Sequence, residues 1–366
     1  MATLLPVRDT ALDFSSWSSG LRVIRLWEWL DLKLDADIFA GSASEVPAKA
    51  RKAEELGFDC AWVSETQHDP FVQLAVSAVA TKKIRLGSSI ALAFTRSPTA
   101  VAYTAWDIQA ISSGRLILGL GSQVKGHIER RFGMKWESPA AKMRDVVMAI
   151  RAVWESWQSG AKLDFQGRFY KLDLMTPFFS PGRIDSPRIP IYVAGVNDGM
   201  CGVAGEVADG LLVHPLHTLR YLKERINPAL SRGLAKSKRV RRDFGVTVSI
   251  FAAVGDSEAE IKELREFYRS QIAFYASTRS YRKVMELHGW GDICDRLHAL
   301  SVAGRWERMA GVVGDDVVDE FVVQASWDDA ADALKARYRG LAERVKLYKP
   351  LDNNKGWRRL VARFGE

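Results

Sequence analysis

The chain has 366 residues, 47% of them hydrophobic, and a formal net charge of +8. That apolar share builds a large globular core, and the length admits either two domains or one α/β barrel, a fold that often exceeds the usual domain size. No run approaches the roughly 18 to 20 apolar residues of a membrane-spanning helix.

Three cysteines, Cys60, Cys201 and Cys294, stand far apart with no CxxC pair. Neither a disulfide framework nor a thiolate metal site is expected, and a reducing cytoplasm is the default compartment. Positive charge collects at 236–242 (KSKRVRR) and again at 355–363. No aromatic RNA-binding pattern accompanies these clusters, which read as solvated faces or as a weak field steering an anionic cofactor or substrate. No nucleic-acid or membrane partner is expected. Residues 1–32 carry scattered charges without a cleavage pattern, and read as an extension ahead of the fold rather than a secretory signal.

Strand and helix signals then alternate. A first strand over 33–39 precedes a helix over 46–56 that Gly57 closes, and a second strand over 60–64 precedes a helix over 71–81. The most regular unit follows. Short apolar runs at 84–91 and 115–121, of the kind buried on both faces of a parallel sheet, flank a helix that opens at Pro98 behind Ser97 and closes at Ser112-Ser113-Gly114. A loop over 122–136 leads to a helix over 140–157, with Met143, Val147, Ile150 and Trp154 at helical spacing. Residues 163–174 alternate around Gly167 and read as an inserted hairpin. Strands five to eight are predicted at 189–194, 210–213, 244–253 and 317–323, followed by helices at 196–207, 218–232, 257–276 and 327–346. Eight β/α repeats predict a closed (β/α)8 TIM barrel over 33–349, with insertions after strands 4 and 7 and a basic C-terminal tail over 350–366. The second insertion is expected over 280–316.

In such a barrel the active site lies at the C-terminal ends of the strands. After strand two, Glu65-Thr66-Gln67-His68-Asp69 gathers polar and titratable groups. A helix cap explains Asp69 before Pro70, yet capping needs neither Glu65, Gln67 nor His68. Imidazole titrates near neutral pH, so His68 suits a proton donor or acceptor, with Glu65 orienting it or touching a ligand. Gly119-Leu120-Gly121-Ser122 lacks the third glycine of GxGxxG, because Val124 stands there, and the dinucleotide reading fails. Gly121 and Ser122 instead let a ring system approach the backbone. The basic residues after them, Lys125, His127, Arg130 and Arg131, form either an anion-binding or an ordinary solvated loop. At Gly195 a strand ends as a helix begins, which turns free N–H groups toward the barrel mouth as a phosphate site or a tight turn. His214 and His217 have no third ligand nearby, so no metal is expected and His214 reads as a pocket-lining residue.

Five segments in order carry a family likeness: KAEELGFDCAWVSETQHDPF (52–71), IRLGSSIALAFTRSPTAVAYTAWDIQAISSGRLILGLGSQV (84–124), ERRFG (129–133), FQGRFYKL (165–172) and PIYVAGVNDGMCGVAGEVADGLLVH (190–214). Through them the chain resembles the luciferase-like flavin and deazaflavin oxidoreductases, and within these the branch dependent on coenzyme F420. The resemblance covers roughly residues 34–349. It implies a planar tricyclic cofactor across the barrel mouth, F420 or alternatively FMN, with a cis peptide at Ser89–Ile90 behind the ring. It also implies cofactor contacts from Gly121, Ser122 and Gln123, and a phosphate-binding turn at Gly195, Val196 and Asn197. Many relatives place His directly after the acid that follows strand two; here Thr66 stands in that place and His68 comes two residues later. His68 and Glu65 are therefore the candidate catalytic residues, with Thr66 and Gln67 assigned to the cofactor. The implied activity is hydride transfer between F420 and a small apolar organic substrate. An FMN-dependent monooxygenase fed by a partner reductase, and a flavin-binding barrel without turnover, are the alternatives. Trp62, Phe94, Phe132, Trp136 and Phe178 are expected to wall the pocket, and the resemblance implies a homodimer formed through helices beside strands two and three.

Overall fold

A computed structural model describes residues 32–365. The predicted extension over 1–32 lies, but for its last residue, outside the described residues. Eight parallel strands form a closed ring: β1 (Lys33–Asp37), β2 (Cys60–Val63), β3 (Arg85–Ser88), β4 (Leu116–Gly121), β5 (Ile191–Gly195), β6 (Gly210–Val213), β7 (Gly245–Gly255) and β8 (Arg344–Leu347). Each pairs with the next, and β8 returns to β1 with Arg344 opposite Lys33. The TIM barrel expected from the β/α repeats is the observed fold.

Local chemistry sets the helices between the strands. Helix α1 (Val46–Leu56) ends at Gly57, whose φ of 92° is the left-handed conformation that glycine adopts without a Cβ clash. Helix α2 (Pro70–Ala80) starts on Asp69, whose carboxylate accepts from the Phe71 and Val72 amides, and α3 (Pro98–Ile111) starts on Ser97, which accepts from Ala100. Helix α4 (Pro139–Ser159) buries the predicted stripe of Met143, Val147, Ile150 and Trp154. The inserted hairpin is short, pairing Phe165–Gln166 with Lys171–Leu172. Helix α5 (Asp198–Val207) follows β5, α6 (Asn227–Lys236) follows β6, and α7 (Glu258–Ala276) follows β7. A π turn at Leu222–Ile226 immediately precedes α6 and its Pro228, which cannot supply a helical N–H.

The C-terminal third departs from expectation. Residues 317–323 are not the eighth barrel strand: Asp315–Phe321 is helical, and among the described residues Val322–Ser326 pairs only with the upper half of β7, from Phe251 to Gly255. The ring is closed by Arg344–Leu347, which overlaps the end of the helix expected over 327–346. That helix is shorter, α8 (Ala330–Tyr338), and Gly340 at φ 74° lies between it and β8. The basic segment past 349 is not a bare tail, for α9 (Asn354–Gly365) buries Trp357 and Leu360 against the barrel. The arginines of the two basic clusters are largely spent on acids: Arg241 pairs with Glu343, Arg359 with Asp256 and Asp328, and Arg363 with Asp332.

Inside the ring, the layers differ in chemistry. Trp62 and Tyr192 fill the middle with Cys60, Ile117 and Leu212. Room for the two rings comes from missing side chains, since a Cβ on Gly87 would stand 2.3 Å from Trp62 and one on Gly210 would stand 2.5 Å from Tyr192. Charges share the interior. Arg344 grips Asp35 through two bonds of 2.6 and 2.8 Å, and Trp62 donates to the same carboxylate at 2.8 Å. Two residues nearer the strand ends, Lys346 pairs with Asp37. Burial pushes both carboxyls up, while Arg344 and Lys346 pull them back toward the ionised form.

Candidate active site

The floor of the mouth is apolar and centred on an interruption in β3. The Ser89–Ile90 peptide is cis, as the family likeness implied. Ser89 N–H donates to Val63 O at 2.7 Å, and the chain resumes pairing at Ala91–Leu92 beside β4. Ile90 and Ala194 sit on top of the Trp62–Tyr192 layer and stay partly exposed. Ile90 also covers Gly121, where a Cβ would approach its Cδ1 to 1.9 Å. The glycine is thus required by a neighbouring side chain and is itself buried, while Ser122 and Gln123 just beyond it stay partly exposed. Next to it, Gln123 holds φ at 58°, a left-handed conformation uncommon outside glycine and asparagine, and Ser122 donates to the Gln123 carbonyl at 3.0 Å.

Glu65 ties the floor to the loop after β2. Its N–H donates to Ile90 O at 3.1 Å, and its carboxylate accepts from Leu92 N–H at 2.8 Å. Arg96 occupies both carboxylate oxygens, at 2.8 and 3.0 Å, and reaches Asp69 at 2.7 Å. Fork-to-fork pairing of this kind is geometrically specific. Glu65 is therefore committed to holding the Ile90–Leu92 segment, and Asp69 to capping α2. Arg96 was not anticipated as a site residue; its only sequence signal is its place between the strand and the Ser97 cap.

His68 lies apart from that clamp. Its Nε2 meets Gly41 O at 2.9 Å in the loop after β1. A carbonyl can only accept, so Nε2 carries a proton and Nδ1 of the neutral ring keeps its lone pair. Thr66 and Gln67 are exposed, and the Thr66 carbonyl accepts from Arg131 at 2.8 Å. Of the basic loop, Arg131 thus serves the β2 loop, and 125–130 forms a short helix.

Across β4 and β5, the end of the barrel offers a place for an anion. No side chain caps α5: Asn197 turns its amide to Ser280 O at 3.0 Å, and its Oδ1 is buried without a partner. The first N–H groups of α5 are left for another acceptor. Asp198 in that first turn is neutralised by Arg225 at 2.7 Å. Gly195 is confined by Cys201 and Leu211, each 3.0 Å from where a Cβ would stand. An apolar floor, the partly exposed Ser122 and Gln123 just after β4 and an uncapped helix end suit a flat ring bearing a phosphate.

The aromatic wall is only partly as expected. Trp62 is sealed within the barrel, and Phe178 is 89% exposed. Phe94 packs edge-on against Trp136, with Lys142 over its ring at 5.0 Å. A second wall is formed instead by His214, Tyr275 and Tyr281, with each tyrosine ring centroid 4.5 Å from the imidazole and the two tyrosine rings 5.9 Å from each other. Among the described residues no group of three or more His, Cys, Asp or Glu could hold a metal ion.

Comparison with known proteins fits this geometry. Residues 30–344 match the model of the family described as luciferase-like monooxygenase. The chain belongs to that family. An uncharacterised Mycobacterium tuberculosis member is 46% identical over 314 residues, spanning 86% of this chain and 92% of its own. The F420-dependent glucose-6-phosphate dehydrogenase of Amycolatopsis mediterranei is 24% identical over 301 residues, spanning 78% and 82%. Among solved structures, the coenzyme F420-dependent tetrahydromethanopterin reductase of Methanopyrus kandleri superposes with a TM-score of 0.75 at 20% identity, covering 90% of this chain and 97% of that one. Related family members are thus oxidoreductases or monooxygenases.

Proposed function

We propose that the protein is an oxidoreductase that transfers hydride between coenzyme F420 and a small, largely apolar organic substrate. The observation that carries this reading is the juxtaposition of the Ile90–Gly121 floor with the uncapped start of α5. Ile90, Gly121, Ser122 and Gln123 would hold the ring, the N–H groups beside Gly195, Val196 and Asn197 would hold the phosphate, and Thr66 and Gln67 would cover the exposed edge. The deazaflavin, when bound, supplies a two-electron hydride carrier. The chain's own residues do the rest. Glu65 and Arg96 fix the floor, and the interior rings of Trp62 and Tyr192 keep water out from below. His68, held through Nε2, offers Nδ1 to a substrate proton.

The family description favours a second reading, an FMN-dependent monooxygenase served by a partner reductase. Mixing the reduced-cofactor complex with ketones, nitro compounds and activated alkenes separates the two. The proposal expects oxidised deazaflavin to appear without oxygen uptake, and expects His68→Ala to lower that turnover at least about tenfold with cofactor affinity unchanged. Oxygen-dependent turnover with FMN alone, or full activity of His68→Ala, would count against the corresponding assignment. If F420 binds and no substrate changes its redox state, the binding-only barrel gains.

Two further assignments belong to this reading. The free, buried Cys60, Cys201 and Cys294 suit a reducing cytoplasm. Val72 and Val79 on α2 and Ile111 on α3 are exposed apolar residues beside strands two and three, and support a homodimer through that face.

A further inference from the structure

Opposite the Ile90 floor, the barrel carries a polar wall that the assignment above leaves unused. In the closed order of eight strands, β7 stands across the ring from β3. On its two sides, His214 follows the last residue of β6 and Lys346 lies in β8, paired with Asp37 of β1. Tyr275 of α7 and Tyr281 both pack against the imidazole and against each other.

The His214 ring is fixed chemically as well as sterically. Leu216 N–H donates to its Nδ1 at 3.0 Å, and a peptide N–H can only donate, so Nδ1 holds the lone pair and the proton of the neutral ring is on Nε2. Burial, with the nearby His217 and the Lys346 charge, lowers its pKa to about 3, so the ring stays neutral near pH 7. Among the described residues no group accepts from Nε2, and His214 is only partly buried. His217 braces the arrangement by bonding to the His214 carbonyl at 2.8 Å and to Tyr338 at 3.1 Å.

We infer that this wall is the substrate's oxygen subsite: His214 Nε2–H takes the oxygen of a small planar carbonyl compound lying between Tyr275, Tyr281 and the cofactor ring. The inference rests on the proposed function for the position of that ring. Charge balance selects the class. Asp37 already compensates Lys346 and the imidazole is neutral, so a carboxylate would enter without a free counter-charge, whereas a carbonyl needs one donor and finds one. A neutral imidazole that donates to a carbonyl is a known electrophilic device in another barrel enzyme, triosephosphate isomerase.

The test uses the full-length protein without cofactor and cyclohexanone as the probe, with imidazole nitrogens followed by ¹⁵N–¹H NMR. At pH 7 His214 is expected in the Nε2–H form, and cyclohexanone is expected to shift that resonance saturably. His214→Phe should bind the ketone about three- to tenfold more weakly, His214→Gln should retain the preference, and methylenecyclohexane should bind wild type and His214→Phe alike. An Nδ1–H or cationic ring at pH 7, no saturable shift, or equal ketone binding by His214→Phe overturns the inference. No readout involves F420, so failure of the cofactor assignment shows up separately in cofactor titration.

Discussion

His217 illustrates how one buried residue sets a pH limit on the fold. Its Nδ1 faces a carbonyl and must donate, leaving Nε2 to accept from Tyr338, and burial lowers its pKa to about 4 from an ordinary 6.5. The unfolded chain therefore takes up this proton first as pH falls. The contribution is complete above about pH 6.5 and is lost toward pH 4, at most about 3 kcal/mol. Urea unfolding at pH 7 and pH 4.5 checks it: wild type should lose more stability between the two than His217→Asn, and equal losses would contradict the assignment. At this scale the sequence was informative about residue type and poor on partners. His68, Glu65 and Asp69 stood out as a polar cluster, but nothing local revealed that Arg96, 31 residues beyond Glu65, occupies its carboxylate. Likewise His214 was legible only as a lining residue, because its tautomer depends on the Leu216 amide.

Among the elements, the unit from β3 through α3 to β4 was readable but for the break in β3, since apolar strands, a proline start and a serine cap all agree. The interruption of β3 at Ser89–Ile90 came from family likeness, not from pattern. Its packing makes a prediction. Gly121→Ala puts a methyl group where Ile90 Cδ1 lies, forcing the isoleucine aside. The expected cost in stability is about 1–3 kcal/mol, with cofactor affinity lowered at least about tenfold because the floor is disturbed; fluorescence titration beside thermal unfolding measures both. Unchanged affinity would mean that the ring does not rest there. Strand β8 was missed for a physical reason. It points Arg344 and Lys346 inward and Val345 and Leu347 outward, the reverse of the usual polarity, so its charges read as a helix surface. Only Asp35 and Asp37, more than 300 residues away on β1, make those inward charges tolerable.

For the whole molecule, eight β/α repeats were enough to give barrel closure, though one repeat was assigned to the wrong segment. What the surface does is less visible in one chain. The exposed Val72, Val79 and Ile111 predict a dimer by light scattering at micromolar concentration, which Val79→Glu with Ile111→Glu should convert to a folded monomer. A wild-type monomer would refute that face as the contact. The central claim, that the mouth is built for a deazaflavin, is tested most directly by titrating the purified protein with F420 and, separately, with FMN while following fluorescence. Saturable micromolar binding of F420 is expected; binding of FMN only would contradict that claim.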